Sequence, residues 1–213
     1  MKSLRAVTGW MLVVCAPLLP GQSRPWDEAA EIQLAPRLAA AGIDRNDEKA
    51  MIRAIHNEKS SVAVAALWGL RYLPVSPAII QELRLATNSA DESILHYAGG
   101  TLAELGDREW TKSVLPRLPS IRRDAVLLDL CGALAKSGEY GGWLYIKEAL
   151  VDNEETRAGR GLVHLRTFLG MRDATGQPVD LAEEISRLSQ RMPPERLRRV
   201  QAEISRLRGE TVH

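Results

Sequence analysis

The chain has 213 residues, 45% hydrophobic and 26% charged, which is enough to bury a core without a disulfide framework and too apolar for a disordered chain. Its 28 basic and 27 acidic residues leave a formal charge of +1, so no charge excess points to nucleic acid as a partner. An aromatic content of 5%, abundant alanine and leucine, and the lack of period-2 alternation argue against a sandwich or barrel and for an all-α fold.

Lys2 and Arg5 precede an apolar run from Ala6 to Leu19, and "GQS" places small residues at positions −3 and −1 before Arg24. Residues 1–23 therefore read as a secretory signal peptide, with periplasmic or extracellular export as the expectation. The run is shorter than the roughly 20 residues of a spanning helix and is broken by Pro17 and Pro20, which makes a retained membrane anchor the alternative. Lipidation at Cys15 is a lesser alternative, because Val14 stands where a small residue would precede a lipidated cysteine. Without the signal, 26 basic residues face 27 acidic ones, and Cys131 has no partner for an intramolecular disulfide.

An N-terminal helical segment is expected over 24–45. Beyond it, apolar helical stretches end at Pro74, Gly106, Gly138 and Gly170, a constant step of 32 residues. Counting back four, eight and twelve residues from each stop gives Leu70, Ala66 and Val62; Leu102, Ala98 and Ile94; Leu134, Leu130 and Val126; and Arg166, Leu162 and Ala158. All but Arg166 are apolar, the stripe of a helix with one buried face. Shorter segments between them, "DEKAMIRAIHNE", "PAIIQELRLATN", "REWTKSVLPRLP" and "GGWLYIKEALVD", read as the first helices of pairs whose second helices carry the stripe.

The second unit, "DESILHYAGGTLAELGD" from Asp91 to Asp107, resembles a HEAT-like repeat, in particular the short bacterial kind also found in phycobilisome lyases. It has an acidic helix start, an alanine and leucine core, and a closing leucine-glycine-aspartate. The other units depart from it: Pro74 replaces the glycine stop, Ser137 the last leucine, and Gly161 interrupts the fourth helix. The resemblance covers residues 46–172, about four helix pairs, and implies a right-handed α-solenoid of stacked antiparallel helix pairs that binds proteins. It carries no active site with it.

Residues 173–213 read as a linker and an amphipathic helical hairpin. Leu181, Ile185, Leu188 and Met192 recur at helical spacing before the prolines at 193 and 194, and Leu197, Val200, Ile204 and Leu207 after them. Seven arginines between Arg187 and Arg208 lie among Glu183, Glu184, Glu195 and Glu203. The expected role is a cap on the open end of the repeats, with dimerisation or contact with a lipid or polyanion surface as the alternative.

Residues suited to chemistry are sparse. His56, His96, His164 and His213 show no metal-binding spacing, Cys131 sits on an apolar stripe, and Gly99, Gly100, Gly159 and Gly161 lie inside helices where they allow close helix approach. No catalytic, metal or cofactor site is expected, and a lyase-type enzyme subunit is a remote alternative resting on the resemblance. Opposite the apolar stripes, the second helices offer Trp68 and Arg71, His96, and Arg157, Arg160 and His164, with a shallow middle of Gly100, Gly132 and Ala135. These six side chains are the expected contacts for a protein or peptide partner of an exported, non-catalytic scaffold. The opposing reading buries Trp68 under the N-terminal segment and the middle strip under the tail.

Overall fold

The computed structural model describes residues 25–57, 59–173 and 175–209; residues 1–23, expected from the sequence to be a signal peptide, and Cys15 among them lie outside the described residues. The described residues are all-helical, with a lone bridge between Arg172 and Pro178 as their sole extended pairing. None of their helices is long and apolar enough to cross a membrane. Chain order runs α1 (Glu28–Gln33), α2 (Ala35–Ala40), α3 (Glu48–Ile55), α4 (Ser60–Gly69), α5 (Pro77–Ala86), α6 (Glu92–Glu104), α7 (Thr111–Val114), α8 (Asp124–Lys136), α9 (Trp143–Val151), α10 (Glu155–Leu165), α11 (Leu181–Leu188) and α12 (Pro194–Leu207).

Helix boundaries follow local chemistry. Asp27, Asp47, Ser76, Asp91 and Asp180 cap helix starts by accepting from free backbone N–H groups. At the end of α6, Gly106 takes φ +76°, its N–H donates to Ala103 and that of Asp107 to Leu102. Gly138, at φ +88°, repeats the arrangement after α8, its N–H donating to Ala135 and that of Glu139 to Leu134. Both are Schellman closures, which place the residue after the cap in the left-handed region that glycine enters without strain. The segment expected as the third first helix is shorter than its sequence suggests. Pro116 and Pro119 confine α7 to one turn and continue it as a 3-10 helix over Leu115–Ser120.

The stripes are where the helices meet. Val62, Ala66, Leu70, Ala98, Leu102, Val126, Leu130, Leu134 and Ala158 are buried, whereas Ile94 and Leu162 are partly exposed and Arg166 is exposed. Consecutive stripe-bearing helices pack on one another: α2 on α4, α4 on α6, α6 on α8, and α8 on α10. The intervening helices pack onto them, α3 on α4, α5 on α6 and α9 on α10. Ser60 Oγ donates to Asp91 at the leading ends of α4 and α6, Arg123 Nη1 to Ser93 beside α8, and Lys136 pairs with Glu104 at the trailing ends. The three helices therefore run side by side in one direction.

One unit of the period escaped the sequence reading. Gly42, a further 32-residue step before Pro74, has φ +69°, and its closure repeats that of Gly106: Ile43 N–H donates to Leu38 and Gly42 N–H to Ala39. Leu38, Leu34 and Ala30, four, eight and twelve residues earlier, are buried at 1, 0 and 0% exposure. The helix they belong to is split into α1 and α2 because Pro36 near the start of α2 has no N–H to continue the ladder. At the far end, α11 and α12 pack together, and Glu184 on α11 accepts from Trp143 Nε1 at 3.2 Å and Lys147 Nζ at 3.1 Å on α9.

Candidate interaction face

The partly exposed side of α6, α8 and α10 is organised around Asp129, a carboxylate in the otherwise apolar middle of α8. Arg160 Nη1 on α10 donates to both its oxygens, at 2.8 and 2.7 Å. His164 Nε2, one turn on, lies 2.9 Å from Oδ1, and His96 Nε2 on α6 lies 3.4 Å from Oδ2. Burial raises the proton affinity of Asp129, but the bonds from His164 and Arg160 and the nearby His96 outweigh it and hold the carboxyl below its ordinary 3.8. His96 titrates below 6.5, chiefly because burial disfavours its charged form; Asp129 opposes this, while Arg160, Arg123 and His164 reinforce it. One ionised carboxylate thus ties three consecutive stripe helices.

Gly132 is part of the same cluster. A Cβ built on it would lie 2.3 Å from His164 Nδ1, so the imidazole rests directly on the α8 backbone. The expected open middle strip is corrected here: Gly132 is covered by His164, and Ala135, Leu128 and Val64 are buried at 5, 0 and 8% exposure. The angular reading assumed one buried side per helix, whereas α8 is packed against α6, α9 and α10 together. Gly100 does remain open, with nothing within 4 Å of an added Cβ. Of the helix-interior glycines, Gly99 meets Trp110 and Leu130, and Gly161 meets Ala149, while Gly100 and Gly159 meet nothing.

Trp68, Arg71 and His96 belong to a second, adjoining group. The Trp68 ring stacks on Tyr97 of α6 at 5.8 Å and 26°, and Tyr97 contacts His96 at 4.8 Å. The Arg71 guanidinium lies 5.8 Å from the Trp68 ring and 5.2 Å from Tyr72. Tyr72 in turn stacks on Trp26 at 5.0 Å and donates to Asp27 at 2.7 Å; burial first, then that bond, pushes its phenol up to about 12. The N-terminal segment covers Tyr72 and Gly69 but leaves Trp68 partly exposed. Trp68 Nε1 and Arg71 Nε have no hydrogen-bond partner among the described residues.

Arg157 stands apart from both groups, 2.5 Å from Asp152 and 3.6 Å from Asp124. Of the six expected contacts, His96, Arg160 and His164 converge on Asp129, Trp68 and Arg71 join His96 through Tyr97, and Arg157 joins neither. Asp129, Tyr97 and Arg123 were absent from the sequence-based set. A signal for Asp129 existed in "DAVLLDLCGALAK", since a lone carboxylate among apolar residues requires a cationic partner brought by another helix. Cys131 is buried and its thiol is pushed up to about 12 by burial, which keeps it protonated. Among the described residues no group of three or more His, Cys, Asp or Glu could hold a metal ion. A broad open hollow of about 690 Å³ lies elsewhere, over α5, lined by Val75, Pro77, Ile80 and Leu85 without a cluster of titratable groups.

No protein-family model matches the chain, and no curated protein matches it.

Proposed function

We propose that the chain is a right-handed α-solenoid of HEAT-like helix pairs that acts as an exported, non-catalytic scaffold and binds a protein or peptide along the side of α4, α6, α8 and α10. The observation that carries this reading is the side-by-side series α2, α4, α6, α8 and α10, which leaves Trp68, Tyr97, His96 and open Gly100 on one shared surface. Export rests on the N-terminal apolar run alone. A role without chemistry is supported by the state of the polar groups: His164 has one nitrogen on Asp129 and the other against Gly132, so it has no free nitrogen for a substrate.

The arginine-rich hairpin favours a cap over an anionic-surface contact. Arg187, Arg191, Arg196, Arg199, Arg206 and Arg208 each pair with a carboxylate, which leaves little uncompensated charge for a lipid or polyanion. Arg196, expected on the polar face, is instead 4% exposed and donates to the carbonyls of Leu150 and Asp152 and to Glu155, joining α12 to the turn between α9 and α10.

Reversing Arg157 and Arg160 is a poor probe of this face, because each would set a new carboxylate against Asp124 and Asp152 or against Asp129. Gly100→Trp is cleaner, since a Cβ at Gly100 meets nothing within 4 Å and the substitution removes no existing side-chain contact. Proteins captured from the exported fraction by the natural chain and by Gly100→Ala, but not by Gly100→Trp of equal melting temperature, are the expected result. Equal capture by all three would rule out this face as the binding surface.

A further inference from the structure

The partly exposed rings of the face form a continuous diagonal. From the trailing end of α4 it passes Arg71, Trp68, Tyr97 and His96, with ring separations of 5.8 and 4.8 Å, and reaches Arg123 at the leading turn of α8, whose Nη1 donates to Ser93 at 2.8 Å. Cations stand at both ends of a strip of three planar side chains. Arg123 is exposed, and neither it nor Arg71 forms an ion pair with a described residue.

The carboxylates nearest this strip are committed elsewhere. Asp27, which senses Arg71, accepts from Ala30 N–H and the Tyr72 hydroxyl. Glu92 accepts from the backbone N–H groups of Arg122 and Arg123, at 2.8 and 3.1 Å, and Asp129 is held by Arg160 and His164. The nearby carboxylates are thus occupied by backbone and side-chain donors; the Arg123 guanidinium is exposed, while the Arg71 guanidinium is partly exposed and lies over the Trp68 and Tyr72 rings. Gly100, one turn from Tyr97 and His96, leaves room for a backbone to pass over the middle.

Resting on the proposed role of this face, we infer that its partner is an extended peptide segment bearing carboxylates on both sides of a proline or aromatic residue. The flanking carboxylates meet Arg71 and Arg123, and the central ring packs on Trp68 and Tyr97, which present flat apolar surfaces at little entropic cost.

The test is a display library of random dodecapeptides selected on the full chain and counter-selected on Gly100→Trp, with Gly100→Gln as a second blocking variant. Circular dichroism and melting temperature establish that all variants fold. The expected survivors carry Asp or Glu on both sides of Pro, Trp, Tyr or Phe. A labelled survivor should bind about tenfold more weakly to Arg123→Gln, and about tenfold more weakly at 500 than at 50 mM NaCl. Neutral or basic survivors, or survivors indifferent to Arg123→Gln, overturn the acidic-partner inference and leave the face standing as a binding surface. Peptides that bind the blocked variants equally well, or an absence of enrichment, remove the face and the inference together.

Discussion

Gly132 and Gly100 are both glycines in the middle of stripe-bearing helices, and they differ in what lies over them. His164 rests on Gly132, whereas nothing lies within 4 Å of a Cβ on Gly100. Gly132→Ala should therefore displace His164 from Asp129 and lower the melting temperature. Gly100→Ala should raise stability by about 0.5–1 kcal/mol, because alanine gives up less backbone entropy in a helix. Thermal unfolding of the two variants side by side checks both signs. His96 sets a pH dependence at the same scale. Its folded value lies below the ordinary 6.5, so its contribution is fully present above pH 6.5 and is lost as the pH falls through the folded value. The urea midpoint should decrease between pH 7.5 and 5, with a shallower decrease in His96→Gln. A slope unaltered by that substitution would place the acid sensitivity elsewhere.

Helix ends depend on two different devices. The closures at Gly106 and Gly138 require positive φ, so Gly138→Ala should cost about 1–2 kcal/mol, measured by chemical denaturation. α12 is fastened by Arg196, whose buried guanidinium serves the carbonyls of Leu150 and Asp152. Arg196→Ala should cost about 1.5–3 kcal/mol, since those charge-assisted bonds are lost from a buried site. Hydrogen exchange should show the loss first at the turn between α9 and α10. The helix endings were readable because a glycine at helical spacing after an apolar stripe has a local physical cause. Arg196 was not: on a helical projection it falls among exposed arginines, and what buries it is a turn more than 40 residues away.

Across the whole molecule, the two ends of the stack differ in what covers them. α1 and α2 continue the stripe through Ala30, Leu34 and Leu38, while α11 is tied to α9 through Glu184, which accepts from Lys147 and from Trp143, a residue only 2% exposed. Ending the chain at Arg172 should uncover Trp143 and neighbouring α9 residues and produce a protein that melts lower and self-associates, as read by light scattering. A truncated chain that stays monomeric with an unchanged melting temperature would exclude the hairpin as a cap. Composition and the 32-residue period determined the all-helical character, the buried stripes and the glycine endings, because each follows from contacts between residues three to five apart. The same period held Gly42, which passed unnoticed because Pro36 breaks its helix and Pro74 interrupts the glycine series. The site was partly legible: helical angles placed His96, Arg160 and His164 on an outward side, yet no local rule chooses Asp129 as their common partner. That convergence needs three helices at set distances and rotations, and only the tertiary packing of α6, α8 and α10 supplies them.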